Sequence, residues 1–279
     1  MRLIVAIFFL PILAVAQDWR QPVSLSNQRV STYLEAYATV EGENPASLDK
    51  VLYFLDKLSD KRKKFKNEQT FLRHVFLKTH QQFLKEYKVY TTFNDLLGEG
   101  NYNCLTATAL YALILEHLGF EYEIIETNYH IFLLAETSYG QVLLESTDPL
   151  EGFVIKPQQI ERKISHYRQN PSVDSNHNKI SYQFKASLYN SVGLEGVHGL
   201  LYYNLAVDAY NKQDLVSTVN YLEKARSFYQ SQRLEEFSEI VLLTVLESKI
   251  KTDIKEKLLR KIRSIKDREL RIVASTRIF

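Results

Sequence analysis

Apolar positions at helical spacing fill both ends of the chain, and short β-type runs occupy the middle. From about Leu25 to Tyr87 the pattern is helical. Ser47 is placed to cap a helix over Leu48 to Leu58, in which Val51, Leu52, Leu55 and Leu58 share a face. A second helix is expected from Glu68 to Tyr87, where Phe71, Val75, Phe76, Thr79, Phe83 and Tyr87 recur mostly at steps of three and four. Gly98 to Asn103 is a Gly- and Asn-rich turn that leads straight into Cys104. Leu105, Ala109, Ala112, Leu113 and Leu118 then mark another helix, stopped by Gly119.

The period changes after Gly119. Phe120 to Thr127, Tyr129 to Glu136 and Gln141 to Thr147 read as three strands. Asn128 bounds the first two, Thr137 to Gly140 is a turn, and Asp148-Pro149 closes the third strand. Pro157 to Asn178 reads as a polar surface segment, and Ile180 to Phe184 as a further strand. From about Gly196 the chain is helical again. Leu201, Leu205 and Ala209, then Val219, Leu222 and Ala225, outline a helix pair turning at Asn211 to Asp214. Val241 to Ile250 and Ile254 to Ile265 add two more helices. The fold class is α+β followed by an all-α region, with domains at 17–190 and 191–279.

Composition narrows the function classes. Thirty-five basic and 33 acidic side chains give a charge of +2 over 279 residues, which leaves no electrostatic footprint for nucleic acid. Gly and Pro together are about 5% of the chain, well below average usage, which excludes a collagenous or disordered polymer. One cysteine excludes a disulfide framework and any multi-cysteine metal site. The basic run Lys61 to Lys64 with Lys66 reads as a solvated helix end.

The first residues read as an address. Met1-Arg2 is positive, Leu3 to Ala16 is apolar apart from Pro11 in its midst, and Ala14-Val15-Ala16 has the form of a signal-peptidase site. At about 1.5 Å per residue this stretch spans about 21 Å, short of the roughly 30 Å hydrocarbon core. The expectation is a signal peptide over 1–16, export to a periplasm or the outside, and no membrane span.

In an oxidising compartment an unpaired thiol pairs between chains, is kept for reactivity, or is buried as a small hydrophobe. Cys104 stands where a turn ends and a helix begins, where unsatisfied N–H groups and the helix dipole favour thiolate. A thiolate nucleophile needs a proton-handling partner, and His130 lies near the start of the second β run. Asp148, at the end of the third run, returns by a hairpin to the same end and is placed to orient the imidazole. A lone strand histidine is more often structural, and Cys104, His130 and Asp148 form an unusual ligand set for a metal. His-Glu-x-x-His, Gly-x-Ser-x-Gly and phosphate-loop motifs are absent from the sequence.

Gly100-Asn101-Tyr102-Asn103-Cys104, Tyr129-His130-Ile131-Phe132 and Ser146-Thr147-Asp148-Pro149, in that order, resemble the core of transglutaminase-like domains. Asn103-Cys104-Leu105 with Ala109-Leu110-Tyr111 is similar to a bacterial branch often followed by tetratricopeptide-like helices. The resemblance covers about residues 90 to 155. It implies a papain-like α+β core, with Cys104 attacking an amide carbonyl to form a thioester, His130 shuttling the proton and Asp148 holding its tautomer. It also implies an oxyanion donor besides the Cys104 N–H, for which Tyr102, Asn94 and Asn101 are candidates. The only tryptophan, Trp19, is distant in sequence from Cys104 and His130.

Tyr202, Leu205, Ala206, Ala209, Leu222 and Ala225 resemble one tetratricopeptide unit, while a second is degenerate. These helices either bind a protein partner or cap the core. Two functions follow. One is an exported cysteine acyltransferase or hydrolase of peptide or protein amides, with no metal or cofactor. The other is a non-catalytic exported scaffold that binds a protein partner through its helices.

Overall fold

A computed structural model describes residues 26–40, 42, 47–169 and 188–276. The signal-peptide expectation over 1–16 and the strand expected at Ile180 to Phe184 lie outside the described residues. The described residues open with three helices, α1 (Ser26–Ala38), α2 (Asp49–Arg62) and α3 (Glu68–Phe83). Leu48 holds the N-cap position of α2, one residue after the expected Ser47, whose hydroxyl accepts from the Asp49 amide at 3.3 Å and donates to the Asp49 carboxylate. Helix α3 is capped by Asn67 and ends four residues early, because the Lys85 and Glu86 amides turn to the Gly100 carbonyl. Residues Glu86–Tyr87 then form β1, parallel to β2 (Asn101–Tyr102), with the short helix α4 (Phe93–Gly98) between them.

Helix α5 (Cys104–Leu118) starts at the cysteine and ends at Gly119, whose φ of 68° is the left-handed conformation glycine takes at a helix stop. Strands β3 (Tyr122–Thr127), β4 (Ile131–Ala135), β5 (Val142–Leu144) and β6 (Phe153–Val154) follow, then α6 (Pro157–Gln169) and β7 (Tyr189–Val192). The five strands form an antiparallel sheet in the order β6-β5-β4-β3-β7. Alternate residues serve two apolar layers. Ile124, Ile131, Leu133, Val142 and Leu144 join the main core around α5. Ile125, Phe132, Leu134, Leu143 and Val154 pack under Ile160, Ile164 and Tyr167 of α6. The region expected to be a polar surface segment therefore holds a helix, whose spaced apolar residues cover the second face of the sheet.

Four helices complete the described chain: α7 (Leu194–Asn211), α8 (Leu215–Phe228), α9 (Gln232–Glu247) and α10 (Thr252–Thr276). The division placed at residue 190 falls inside β7, which pairs with β3, and only Gly193 separates β7 from α7. One apolar core runs from Val30 to Ile265. The buried Tyr37 hydroxyl donates to the Leu194 carbonyl at 2.7 Å, tying α1 to the start of α7. The basic run at the end of α2 is also not wholly solvated. Arg62 is buried, donates to the carbonyl of Leu118 at the end of α5 and sits 5.0 Å over the Phe120 ring. A cation there opposes the negative end of the α5 dipole.

No helix among the described residues is long and apolar enough to cross a membrane. Helices α7 and α8 meet at Gly199, where a Cβ would lie 2.3 Å from Tyr229 Cβ and 2.9 Å from the Ala225 carbonyl oxygen. Gly199→Ala must force the pair apart. The expected cost is about 1–3 kcal/mol, read as a lower urea midpoint at unchanged slope.

Candidate active site

The site begins at the start of α5. Asn103 caps it by accepting from the Thr106 amide at 2.9 Å, and Thr106 Oγ1 accepts from the Asn103 amide at 3.0 Å. This reciprocal box satisfies two backbone donors and fixes the entry of the chain into the helix. The Asn103 side-chain Nδ2 also donates to the Val89 carbonyl at 3.0 Å, holding the segment after β1 beside the cysteine. Small Ala107 and Thr108 let the helix approach the sheet closely. Thr108 Oγ1 donates to the Ile131 carbonyl and lies 3.2 Å from Ser146 Oγ. The Cys104 side chain, half-buried, stands at the first position of this clamped helix.

His130 precedes β4 by one residue. The hairpin turn from β3 is closed by the Thr127 amide donating to the His130 carbonyl at 2.8 Å, and by the His130 amide donating to Thr127 Oγ1 at 3.2 Å. The imidazole is hydrogen-bonded through Nε2 to Glu145 Oε2, and the Cys104 side chain is close enough to raise its pKa. Burial disfavours the charged ring, but hydrogen bonds to Cys104 and Glu145 and the charges of both outweigh it, and the pKa is pushed up to about 10.

Glu145 follows the last residue of β5. Its carboxylate is 3% exposed and also accepts from the Thr147 amide at 2.9 Å, the Thr147 hydroxyl at 2.6 Å and the Tyr167 hydroxyl at 3.0 Å. Burial raises its pKa, but the His130 hydrogen bond and charge, with the Thr147 donors, hold it below the usual carboxylate range. Tyr167 from α6 lays its ring 4.7 Å from the His130 ring and 5.2 Å from Phe132. It shields the His130–Glu145 contact from water, as an apolar cover strengthens a buried charge pair.

Cys104 and His130 are therefore brought together, and Asp148 is not the carboxylate on the imidazole. Strand β5 ends at Leu144, and the chain turns at once. Asp148 is used to build that turn: Oδ1 accepts from the amides of Leu150 and Glu151 at 3.2 and 2.8 Å, and Oδ2 lies 3.6 Å from Lys163 Nζ. Gly152 closes the same turn. A Cβ there would sit 2.2 Å from the Glu145 carbonyl oxygen and 2.3 Å from that of Asp148. Glu145 carries a weak sequence signal. It is two residues from Leu143, which faces α6, as Phe132 and His130 do across the hairpin. Tyr167 is marked by its spacing from Ile160 and Ile164 on α6.

Of the three oxyanion candidates, Asn101 donates its amide to Glu99, Asn94 is half-buried on α4, and Tyr102 is buried beside Tyr87 with ring centres 5.9 Å apart. Tyr87 enters unforeseen. Its phenol, on a half-exposed side chain, is pushed up first by partial burial and then by the charges of Cys104 and Glu145. A cleft of about 370 Å³ lies beside α6, lined by Ile160, Ile164, Arg168 and Tyr189, but Cys104, His130 and Glu145 are not part of its wall. Among the described residues no group of three or more His, Cys, Asp or Glu is placed to hold a metal ion.

No family model, curated protein or solved structure matches this chain.

The His130–Glu145 pair ties stability to pH with a definite sign. The raised His130 value stabilises the fold fully below about 6.5 and loses that effect as pH rises through about 10. The lowered Glu145 value contributes fully above about 4.5 and is lost as pH falls through its depressed value. Glu145→Gln should therefore destabilise most between these two limits, by about 3 kcal/mol, the low end for a broken buried pair. Denaturation at a series of pH values checks this, and the gap from wild type should narrow steadily on the alkaline side.

Proposed function

We propose that the chain is a cysteine-dependent acyltransferase or hydrolase of peptide or protein amides, working through Cys104, His130 and Glu145. The observation that carries this is the His130 ring held between the Cys104 side chain and a buried carboxylate, under the cover of Tyr167. A buried imidazole with a carboxylate on one nitrogen and a thiol nearby is arranged for nucleophilic catalysis.

The chemistry is as follows. The Cys104 thiolate attacks the amide carbonyl carbon while His130 carries the proton. The tetrahedral oxyanion forms beside the N-terminus of α5, where backbone N–H groups without intrahelical acceptors offer stabilisation. His130 gives its proton to the leaving amine as the C–N bond breaks, leaving a thioester and a neutral ring. An incoming amine or water then loses a proton to His130 and attacks the thioester, expelling the thiolate and restoring the pair. Glu145 stabilises the imidazolium in both halves and holds the ring in place through Nε2. The resemblance to transglutaminase-like domains supports the same chemistry, with Glu145 in the role expected of Asp148. The apolar start of the chain supports action after export.

Alkylation of Cys104 by iodoacetamide as a function of pH tests the proposal. Rapid reaction should persist well below the ordinary thiol pKa of about 8.5 and be lost in His130→Ala. Glu145→Ala should depress the rate at least about tenfold, whereas Asp148→Asn, which keeps its turn-building oxygen, should stay near wild type. An inert thiol, or one that titrates as a simple thiol regardless of His130, refutes the proposal.

A further inference from the structure

The turn that delivers His130 is held from outside the sheet. Arg233, in the first turn of α9, points its guanidinium at the carbonyl oxygens of both Thr127 and Asn128, the latter at 2.6 Å. Its Nε lies 3.2 Å from Glu126 Oε1, an ion pair by distance though off the hydrogen-bond direction. Glu126 is 1% exposed at the end of β3, and the Tyr229 hydroxyl reaches both of its oxygens at 2.6 Å. Ser231 caps α9 by accepting from the Arg233 amide at 3.1 Å, and its hydroxyl lies 2.7 Å from that of Tyr229. The connection between α8 and α9 thus grips three successive residues, Glu126 to Asn128, just before His130.

We propose that Arg233 is a positioning residue for His130, so that the C-terminal helices set the reactivity of the Cys104–His130 pair. The proposal rests on the function given above. A planar guanidinium spreads its donors in a rigid fork over two carbonyls and a carboxylate, whereas an ammonium offers one compact, freely rotating point of contact. The turn is short and closed by Thr127 on His130, so a shift of the Thr127 and Asn128 carbonyls moves the His130 backbone with them. The ring has little room to compensate, since Cys104 from α5, Glu145 after β5 and Tyr167 from α6 all face it. For stability alone, well-packed apolar residues would serve this interface as well as a buried ion pair. What the pair adds is a fixed position.

Two readouts on Arg233→Ala and Arg233→Lys test this, with cooperative thermal melting by circular dichroism as the control for folding. The first is iodoacetamide alkylation of Cys104 from about pH 5 to pH 9. Arg233→Ala should slow it by about tenfold or more near pH 6, and Arg233→Lys should recover only part of the loss. A folded Arg233→Ala protein whose profile stays within about twofold of wild type overturns the proposal. Should Arg233→Ala not fold, Tyr229→Phe decides. It removes one donor from Glu126, and a folded variant with an unaltered profile again overturns the proposal, while a loss of about threefold supports it. The second readout is the His130 imidazole titration followed by NMR in a Cys104→Ala background. A midpoint moved by about half a unit or more on adding Arg233→Ala supports the positioning role even if the wild-type thiol is inert, the result that would refute only the thioester chemistry. An unmoved midpoint overturns the positioning role even if the thiol is reactive.

Discussion

Helix α5 is apolar almost all round, and the rest of the molecule is arranged to keep it dry. Of its residues from Leu105 to Leu118 only Glu116 is not fully buried. A helix with no polar stripe must be enclosed on every side. The α5-facing layer of the sheet covers one flank, and α1, α2 and α7 cover the others. Enclosing the body of the helix fixes its first residue, and the Asn103–Thr106 box sets the angle at which the chain enters. The cysteine is held in place by burial of the helix behind it as much as by its own packing against the core.

Two buried glutamates at the same end of the sheet behave oppositely, and the reason is local. Glu145 is surrounded by four donors from His130, Thr147 and Tyr167, so the charged form is well solvated by protein and its pKa falls. Glu126 has only the Tyr229 hydroxyl and the Arg233 cation, and burial outweighs them, so its pKa rises. The first is equipped to stay ionised beside an imidazolium. The second serves as an anchor between the sheet and the helices. Neither role follows from residue type or from burial alone. Each depends on how many donors the surrounding backbone turns and hydroxyls supply.

Much of this was legible in the sequence. The helix at Cys104, its stop at Gly119 and the three central strands are each signalled by periodicity and turn residues, and they appear within a few positions of expectation. The return of the β4–β5 hairpin to the end that bears His130 was also legible. The identity of the carboxylate was not. Strand β5 ends three residues before Thr147, and an Asp-Pro pair reads as a strand terminus whether or not the aspartate faces the site. Helix α6 was hidden by its polarity, because a helix lying over a sheet needs only one narrow apolar line, here Ile160, Ile164 and Tyr167. The division at residue 190 is a different matter, since it falls inside β7, which pairs with β3. A composition shift marks where strands give way to helices, but it is silent on whether the two parts share a core.

The grip of Arg233 on the Thr127–Asn128 turn joins residues more than a hundred positions apart. Contacts of such long sequence separation are slow to form, because the entropy of closing the intervening loop is lost before the contact compensates for it. During synthesis the strands, α5 and α6 all leave the ribosome before α9 exists. A partly made chain therefore carries the cysteine and the histidine but lacks the contact that locks their turn. The order of the sequence thus acts as a timer, and the last constraint on the site arrives only when most of the molecule has been built.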